Sequence, residues 1–289
     1  LLICIGADVL QMSVWSEVEP LPKGMPIVQI GLRDWEMGKN YPAEIALRSD
    51  VGTTLRALVP IVQDQMTSAR QETAIEGLKQ LATNNWSSRR EAMCVKTIGL
   101  ENSTPINPDW LMLQIAELLP ENAIVVDEGL TGAKNSLGFL PLRDRYSYFG
   151  MVSGGIGWGI AAAVGVQLAQ PDRPVVAVLG DGSSLYSPQA LWSAAHLNLP
   201  ITFVMLNNQG YRILKERLIA FHDDDRFIGM DFDTPTIDLA GLARSLGVEA
   251  ETVTNPKDFE QALNTALKDA RPRLIEVMVE PGPQRPGKN

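Results

Sequence analysis

One stretch constrains the chain more than any other. From Gly180 to Tyr211, two apolar runs each end in a small polar cluster. Pro174 to Leu179 leads into Gly180-Asp181-Gly182-Ser183-Ser184, and Ile201 to Leu206 leads into Asn207-Asn208-Gln209-Gly210-Tyr211. Short continuous apolar runs bounded by turn residues predict buried parallel strands. Between them Ser187 is expected to cap a helix with Pro188 at its first position, continuing through His196. A strand–helix–strand unit brings both strand ends to one C-terminal edge, where open α/β sheets bind ligands. Asp181 and Asn208, 27 positions apart, are therefore expected to meet.

Such a pair offers a carboxylate and an amide oxygen, and the loop adds a backbone carbonyl, most naturally a free one from Gly210. Hard oxygen donors suit Mg²⁺ or Ca²⁺ rather than zinc, and Mg²⁺ fills its open positions with water and phosphate oxygens. Gly182, Ser183 and Ser184 add amides and hydroxyls of the kind that hold phosphate. The residues thus describe a metal-bridged diphosphate site.

Gly-Asp-Gly followed after a fixed gap by Asn-Asn resembles the signature of thiamine diphosphate enzymes, here Gly180-Asp181-Gly182 and Asn207-Asn208. Upstream, Gly154-Gly155-Ile156-Gly157 and the small residues to Gly165 resemble the segment under the cofactor's thiazolium. Within that family the chain is most similar to the benzoylformate decarboxylase and acetolactate synthase branch. The resemblance spans nearly the whole chain and is strongest from Asp127 to Leu218.

The resemblance implies roles for individual residues. Asp181, Asn208 and Gly210 match the metal ligands. Thr131, with the Leu130 amide, matches a diphosphate contact, as do Gly180, Gly182, Ser183, Tyr186 and Tyr211 on the cofactor side. Leu130 stands where relatives carry a hydroxyl, which restricts that contact to the backbone. The Gly154 carbonyl matches the acceptor for the pyrimidine amino group, and Ile156 the bulky residue that wedges the cofactor into a V. Ile213, Leu214 and Arg217 correspond to a helix facing the substrate, although for Arg217 a solvated charge is an equally good reading. A family glutamate that protonates the pyrimidine belongs to a first domain from the partner subunit. Nothing in this chain matches it, so no catalytic residue is assigned here.

Composition adds limits. A chain of 289 residues allows one large or two modest domains, and 45% hydrophobic with 20% charged residues is ordinary for a globular protein. A net charge of −9 without a basic run argues against nucleic acid or an anionic membrane as partner. Cys4 and Cys94 make no disulfide framework, and no apolar run reaches membrane-spanning length. A reduced, cytoplasmic setting is expected. The chain opens directly in a strand, Leu1 to Gly6, without a methionine, and reads as the C-terminal part of a longer protein.

Three parts are expected: residues 1–84 as the end of a Rossmann-like central domain, 85–104 as linker, and 105–289 as a three-layer, parallel-sheet α/β/α cofactor domain. The first should hold strands at Leu1 to Gly6, Pro26 to Ile30 and Tyr41 to Leu47, and a helix at Thr53 to Gln65. Gly31 and Leu32 replace the acidic residues a nucleotide site would want after the second strand, which favours a structural spacer. The last part alternates strands and helices: helices opening at Asn107-Pro108, around Leu239 to Leu246 and from Pro256 to Ala270, and strands at Ala123 to Val126, Val248 to Val253 and Leu274 to Val279. A Pro/Gly tail follows Pro281.

Gly157-Trp158-Gly159-Ile160-Ala161-Ala162 also fits a loose G-x-G-x-x-A pattern, with Asp181 about 20 residues on, as in an NAD- or FAD-binding oxidoreductase. That out-of-class alternative leaves Asn207-Asn208 and the serines after Asp181 unexplained and ranks well below the thiamine diphosphate reading. Trp192 and His196 read as packing residues, His222 as surface, and two histidines without a serine elbow give a hydrolase triad little support. The expectation is a thiamine diphosphate- and Mg²⁺-dependent decarboxylase of a 2-oxo acid, or a carboligase, working as a homodimer or homotetramer through its cofactor domains.

Overall fold

A computed structural model describes residues 1–10, 17–152 and 154–283. Part of the expected tail lies outside them. The chain divides into two compact units, Leu1–Thr83 and Asn84–Asn289.

The first unit holds β1 (Leu2–Ile5), β2 (Ile27–Gly31) and β3 (Ile45–Arg48) in one parallel sheet, followed by α1 (Val51–Asp64) and α2 (Ser68–Ala82). β3 is shorter than expected: it begins at Ile45, and ahead of it the Glu44 N–H donates to the Ile27 carbonyl at 2.9 Å. Helix α2 was not anticipated: Ile75, Leu78 and Leu81 are its main apolar residues, and all three are exposed. A cavity of about 240 Å³ opens at the C-terminal edge of the sheet, against the start of α1. The N-terminus of α1 is capped by Asp50, whose Oδ1 accepts from Thr53 N–H at 2.8 Å. Asp8, Glu36 and Asp50 line this cavity beside one guanidinium, that of Arg33, itself paired to Asp8 at 2.7 Å. An anionic nucleotide would meet a preponderance of acids there.

The second unit contains α3 (Trp86–Thr97), α4 (Pro108–Leu118), β4 (Ile124–Glu128), α5 (Ser136–Phe139), β5 (Tyr148–Gly150), α6 (Gly159–Ala169), β6 (Val175–Gly180), α7 (Asp181–Ser184), α8 (Gln189–His196), β7 (Ile201–Asn207), α9 (Arg212–His222), α10 (Leu239–Ser245), β8 (Glu249–Val253), α11 (Pro256–Ala266) and β9 (Arg273–Met278). Helix starts follow local chemistry. Asn107 Oδ1 accepts from the N–H groups of Asp109 and Trp110 with Pro108 at the first turn, and Asn255 caps α11 ahead of Pro256. α11 ends four residues before the expected Ala270.

The six strands run in the order β5-β4-β6-β7-β9-β8, every pair parallel. Alternation along each strand sends side chains to two cores. Val125, Val176, Val178, Val204 and Leu206 pack with α4, α5 and α11. Ile124, Val126, Ala177, Leu179, Phe203 and Met205 pack with α6, α8 and α10. Both faces of β4, β6 and β7 are covered, so these strands read as mostly apolar runs, while the edge strand β8 is largely exposed. The result is the three-layer α/β/α arrangement expected. Each large side chain fully removed from water contributes about 1.5–3 kcal/mol before entropy is counted.

Candidate functional site

β4 and β6 are neighbours, but the chain leaves β4 toward β5 and leaves β6 toward β7. Their C-terminal ends therefore flank the point where strand order reverses, the place at which open α/β sheets bind ligands. Glu128 to Thr131, Gly180 to Ser184 and, from β7, Asn207 to Tyr211 all arrive at this edge. Asp181 and Asn208 meet as expected: Asp181 Oδ2 accepts from the N–H groups of Asn208 at 3.1 Å and Gly210 at 3.2 Å, and Oδ1 from Gly182 N–H at 2.8 Å. Asp181 is 4% exposed, and burial pushes its carboxyl up to about 6 against the loop amides that pull it down.

Asn208 carries the informative atom. Its side-chain Oδ1 is buried and has no hydrogen-bond partner among the described residues. A buried acceptor without a donor costs about 1–3 kcal/mol, so such an atom marks a place for a missing partner. An amide oxygen has no proton to give, and a hard cation satisfies it. Asn207 does different work. Its Oδ1 accepts from Gln209 N–H at 2.9 Å and its Nδ2 donates to buried Glu276 at 2.7 Å, which fixes the turn. Gln209 sits at φ +60°, in the left-handed region.

Gly210 is pressed against the returning chain, where a Cβ would lie 2.4 Å from the Met230 carbonyl oxygen. Its own carbonyl is not free, as expected from sequence, but accepts from Arg212 N–H at 2.9 Å, because the chain turns at once into α9. A second lone pair remains on that oxygen. Tyr211 lies over Gly182, where a Cβ would come within 3.0 Å of its ring, and packs edge-on to Phe232 at 4.7 Å. The hydroxyls of Ser183 and Ser184 turn inward, both donating to the Gly180 carbonyl, at 3.0 and 2.7 Å. Only their backbone groups are left for a ligand. Leu130 takes φ +49°, a strained setting for a branched side chain, next to half-buried Thr131.

The other residues expected at this edge lie in the loop before α6. Gly154 is exposed at φ +75° and Ile156 is 37% exposed. Gly157, at φ +94°, leaves room for Tyr186, whose Cβ would stand 2.2 Å from a Cβ at that position. Tyr186 itself is 57% exposed. Ser187 does not cap α8. Its hydroxyl donates to the Gly157 carbonyl instead, and Pro188 begins the helix without a side-chain cap. Glu128, which sequence reasoning passed over, closes the arrangement from below. Its Oε1 accepts from Gly157 N–H and its Oε2 from Gly159 N–H, the latter at 2.7 Å. No local pattern announces a clamp between residues some 30 positions apart; only the sheet topology does.

Ile213 is half-buried, Leu214 exposed, and Arg217 exposed over the Phe221 ring at 5.7 Å. A crevice beside Asp181 is lined by Asn207, Gln209, Phe232 and Thr236, among others, and by none of these three. Trp192 and His196 are not packing residues. Both are exposed and stack on each other at 4.8 Å, because Ala190, Leu191 and Ala194 form the buried face of α8. The dinucleotide alternative meets a specific obstacle. Its diphosphate belongs at the N-terminus of α6, and the Glu128 carboxylate already occupies those amides.

Among protein families, "Thiamine pyrophosphate enzyme, C-terminal TPP binding domain" matches residues 133–277. The chain is 33% identical over 277 residues to benzoylformate decarboxylase of Pseudomonas aeruginosa, spanning 96% of this chain and 48% of that protein. It is 29% identical to the acetolactate synthase large subunit of Parasynechococcus marenigrum, over 98% of this chain and 44% of the relative. Among solved structures, the thiamine diphosphate-dependent 4-hydroxybenzoylformate decarboxylase of Rhodococcus jostii RHA1 superposes with a TM-score of 0.75 at 28% identity, covering 96% of this chain and 48% of that one. The chain thus spans about half the length of the relatives it matches. No helix of the described residues is long and apolar enough to cross a membrane.

Proposed function

The chain belongs to the thiamine pyrophosphate enzymes, and from that premise we propose that it carries the diphosphate and metal half of a site for Mg²⁺-dependent, non-oxidative decarboxylation of a 2-oxo acid. The observation that carries the metal reading is the buried, unpartnered Asn208 Oδ1 on the loop whose amides hold Asp181. In this reading Asp181, Asn208 and the Gly210 carbonyl hold Mg²⁺, a set of hard oxygens suited to it. Thr131, the Leu130 amide and the backbone of Gly180 to Ser183 face the diphosphate, with Tyr186 and Tyr211 beside it. The Gly154 carbonyl would accept from the pyrimidine amino group, and Ile156 would pack against the rings. When bound, thiamine diphosphate supplies the electron sink for the carbanion left as CO₂ departs. The residues of this chain bind, orient and exclude water.

A cation beside Asp181 would offset the burial that raises its carboxyl. Decarboxylation is favoured over carboligation by identity along nearly the whole chain, 33% to the benzoylformate decarboxylase against 29% to the acetolactate synthase large subunit. A Mycobacterium tuberculosis protein named for the acetolactate synthase large subunit nevertheless reaches 39%, over 57% of this chain. Acetolactate synthase-like carboligation stands second, supported by the similarity to the Parasynechococcus marenigrum large subunit along nearly the whole chain. We read Ile213, Leu214 and Arg217 as candidates for the substrate side. Because no residue here matches the family's pyrimidine-protonating glutamate, residues 1–289 alone are expected to be inactive, and the working unit to be a cytoplasmic homodimer or homotetramer. The test is calorimetric titration of the full-length protein with thiamine diphosphate, with and without Mg²⁺, followed by assay of 2-oxo acids for CO₂ release. Metal-dependent binding with release of an aldehyde supports the proposal. A ligated product supports the second reading, and the absence of metal-dependent binding overturns both.

A further inference from the structure

We infer that Glu128 is a positioning residue that sets the spacing between the two halves of the cofactor site. The inference rests on the cofactor reading above. Glu128 ends β4 at the switch point and faces both halves at once. Its backbone carbonyl lies 3.3 Å from the Ser183 hydroxyl, which shares its one proton between that oxygen and the Gly180 carbonyl, on the turn that begins with Asp181. Its side chain, 2% exposed for the residue as a whole, takes the amides of Gly157 and Gly159 on its two oxygens. The approach requires glycine: a Cβ on Gly159 would stand 2.7 Å from Glu128 Oε2 and 2.6 Å from Leu179. One residue therefore ties the Asp181 turn to the loop carrying Gly154 and Ile156.

The chemistry of the clamp specifies a carboxylate. Two N–H donors need two acceptors, and the positive end of the α6 dipole favours an anion there. A glutamine offers one acceptor and turns its NH₂ toward the other N–H. One side of the clamp then opens, while the Glu128 backbone and the Asp181 turn remain. The loss should fall on recognition of the rings and spare recognition of the diphosphate.

The experiment compares full-length wild-type protein with Glu128→Gln, titrated calorimetrically in Mg²⁺ with thiamine diphosphate and, separately, with inorganic pyrophosphate. Glu128→Gln should weaken thiamine diphosphate by about tenfold or more and leave pyrophosphate within about twofold of wild type. Glu128→Asp, which keeps the charge but not the reach, should show the same split and serves if the glutamine variant does not fold. Wild-type affinity for thiamine diphosphate in a folded variant overturns the inference, and so does an equal loss for both ligands. If the wild type binds neither ligand, the cofactor reading falls as well, and the two failures are told apart by that control.

Discussion

Asn207 and Glu276 join β7 to β9 across the interior of the sheet: the Asn207 side-chain N–H donates to Glu276 Oε1 at 2.7 Å. Glu276 also takes the Thr252 hydroxyl at 2.8 Å and the Ala240 N–H at 3.3 Å, all on a residue only 4% exposed. Asn207 passes that order to the metal loop through its bond to Gln209 N–H. Glu276→Leu leaves these donors without an acceptor and should lower stability by about 3 kcal/mol. Urea unfolding followed by circular dichroism measures it, and a loss below about 1 kcal/mol would show the network to be replaceable.

Asn208→Ala separates stability from binding. Since Asn208 Oδ1 has no partner among the described residues, its removal should leave the thermal midpoint of the metal-free protein unchanged or slightly raised. Mg²⁺-dependent thiamine diphosphate affinity should fall by about tenfold or more. Asp181→Ala should abolish that binding with the fold kept, as judged by circular dichroism. Unaltered affinity in either variant would remove that residue from the ligand set.

Two glycines near α6 should respond in opposite directions. Gly157→Ala combines φ +94° with a methyl 2.2 Å from Tyr186 Cβ, and should cost about 2–4 kcal/mol. Gly165→Ala lies mid-helix with nothing within 4 Å of the new methyl, and should stabilise by about 0.5–1 kcal/mol. Thermal melts of the two variants against wild type decide the matter.

Acid should weaken the fold through paired aspartates. The Arg273 hydrogen bond holds the Asp269 carboxyl below its ordinary 3.8, and the Tyr146 amide, with Arg173 beside it, does the same for Asp144. A depressed folded value means the stabilisation is complete above the unfolded value and is lost as pH falls through the folded one. The thermal midpoint should therefore drop below about pH 4. Asp269→Asn should make that drop shallower, which melts between pH 5 and pH 2.5 would reveal.

Much of this architecture is legible in the sequence because it is written locally. Apolar runs ending in Gly180-Asp181 and Asn207-Asn208 state both the strands and the edge at which they finish, and Asn107-Pro108 and Asn255-Pro256 state two helix starts. What escaped is long-range or ambiguous in phase. Glu128 finds Gly157 and Gly159 only once β4 lies beside α6. Ser187 has the sequence context of a helix cap, yet a carbonyl 30 positions back takes its proton. Helix α8 is apolar on more than one side, so its sequence did not settle that Trp192 and His196 would face outward. α2 lacks a buried stripe altogether, which removes the periodic signal that marks most helices.

Consecutive residues Asp127 and Glu128 point to opposite layers. Asp127 takes Ser136, Tyr148 and the Gly129 amide on the side of α5, while Glu128 takes the α6 amides on the other. The end of β4 is thereby keyed by parity. Inserting or deleting a single residue there would exchange the two carboxylates between layers and strand both sets of donors, whereas a change of two would restore the alternation at a shifted height. Loops elsewhere can drift in length over evolutionary time, but this position admits only even steps.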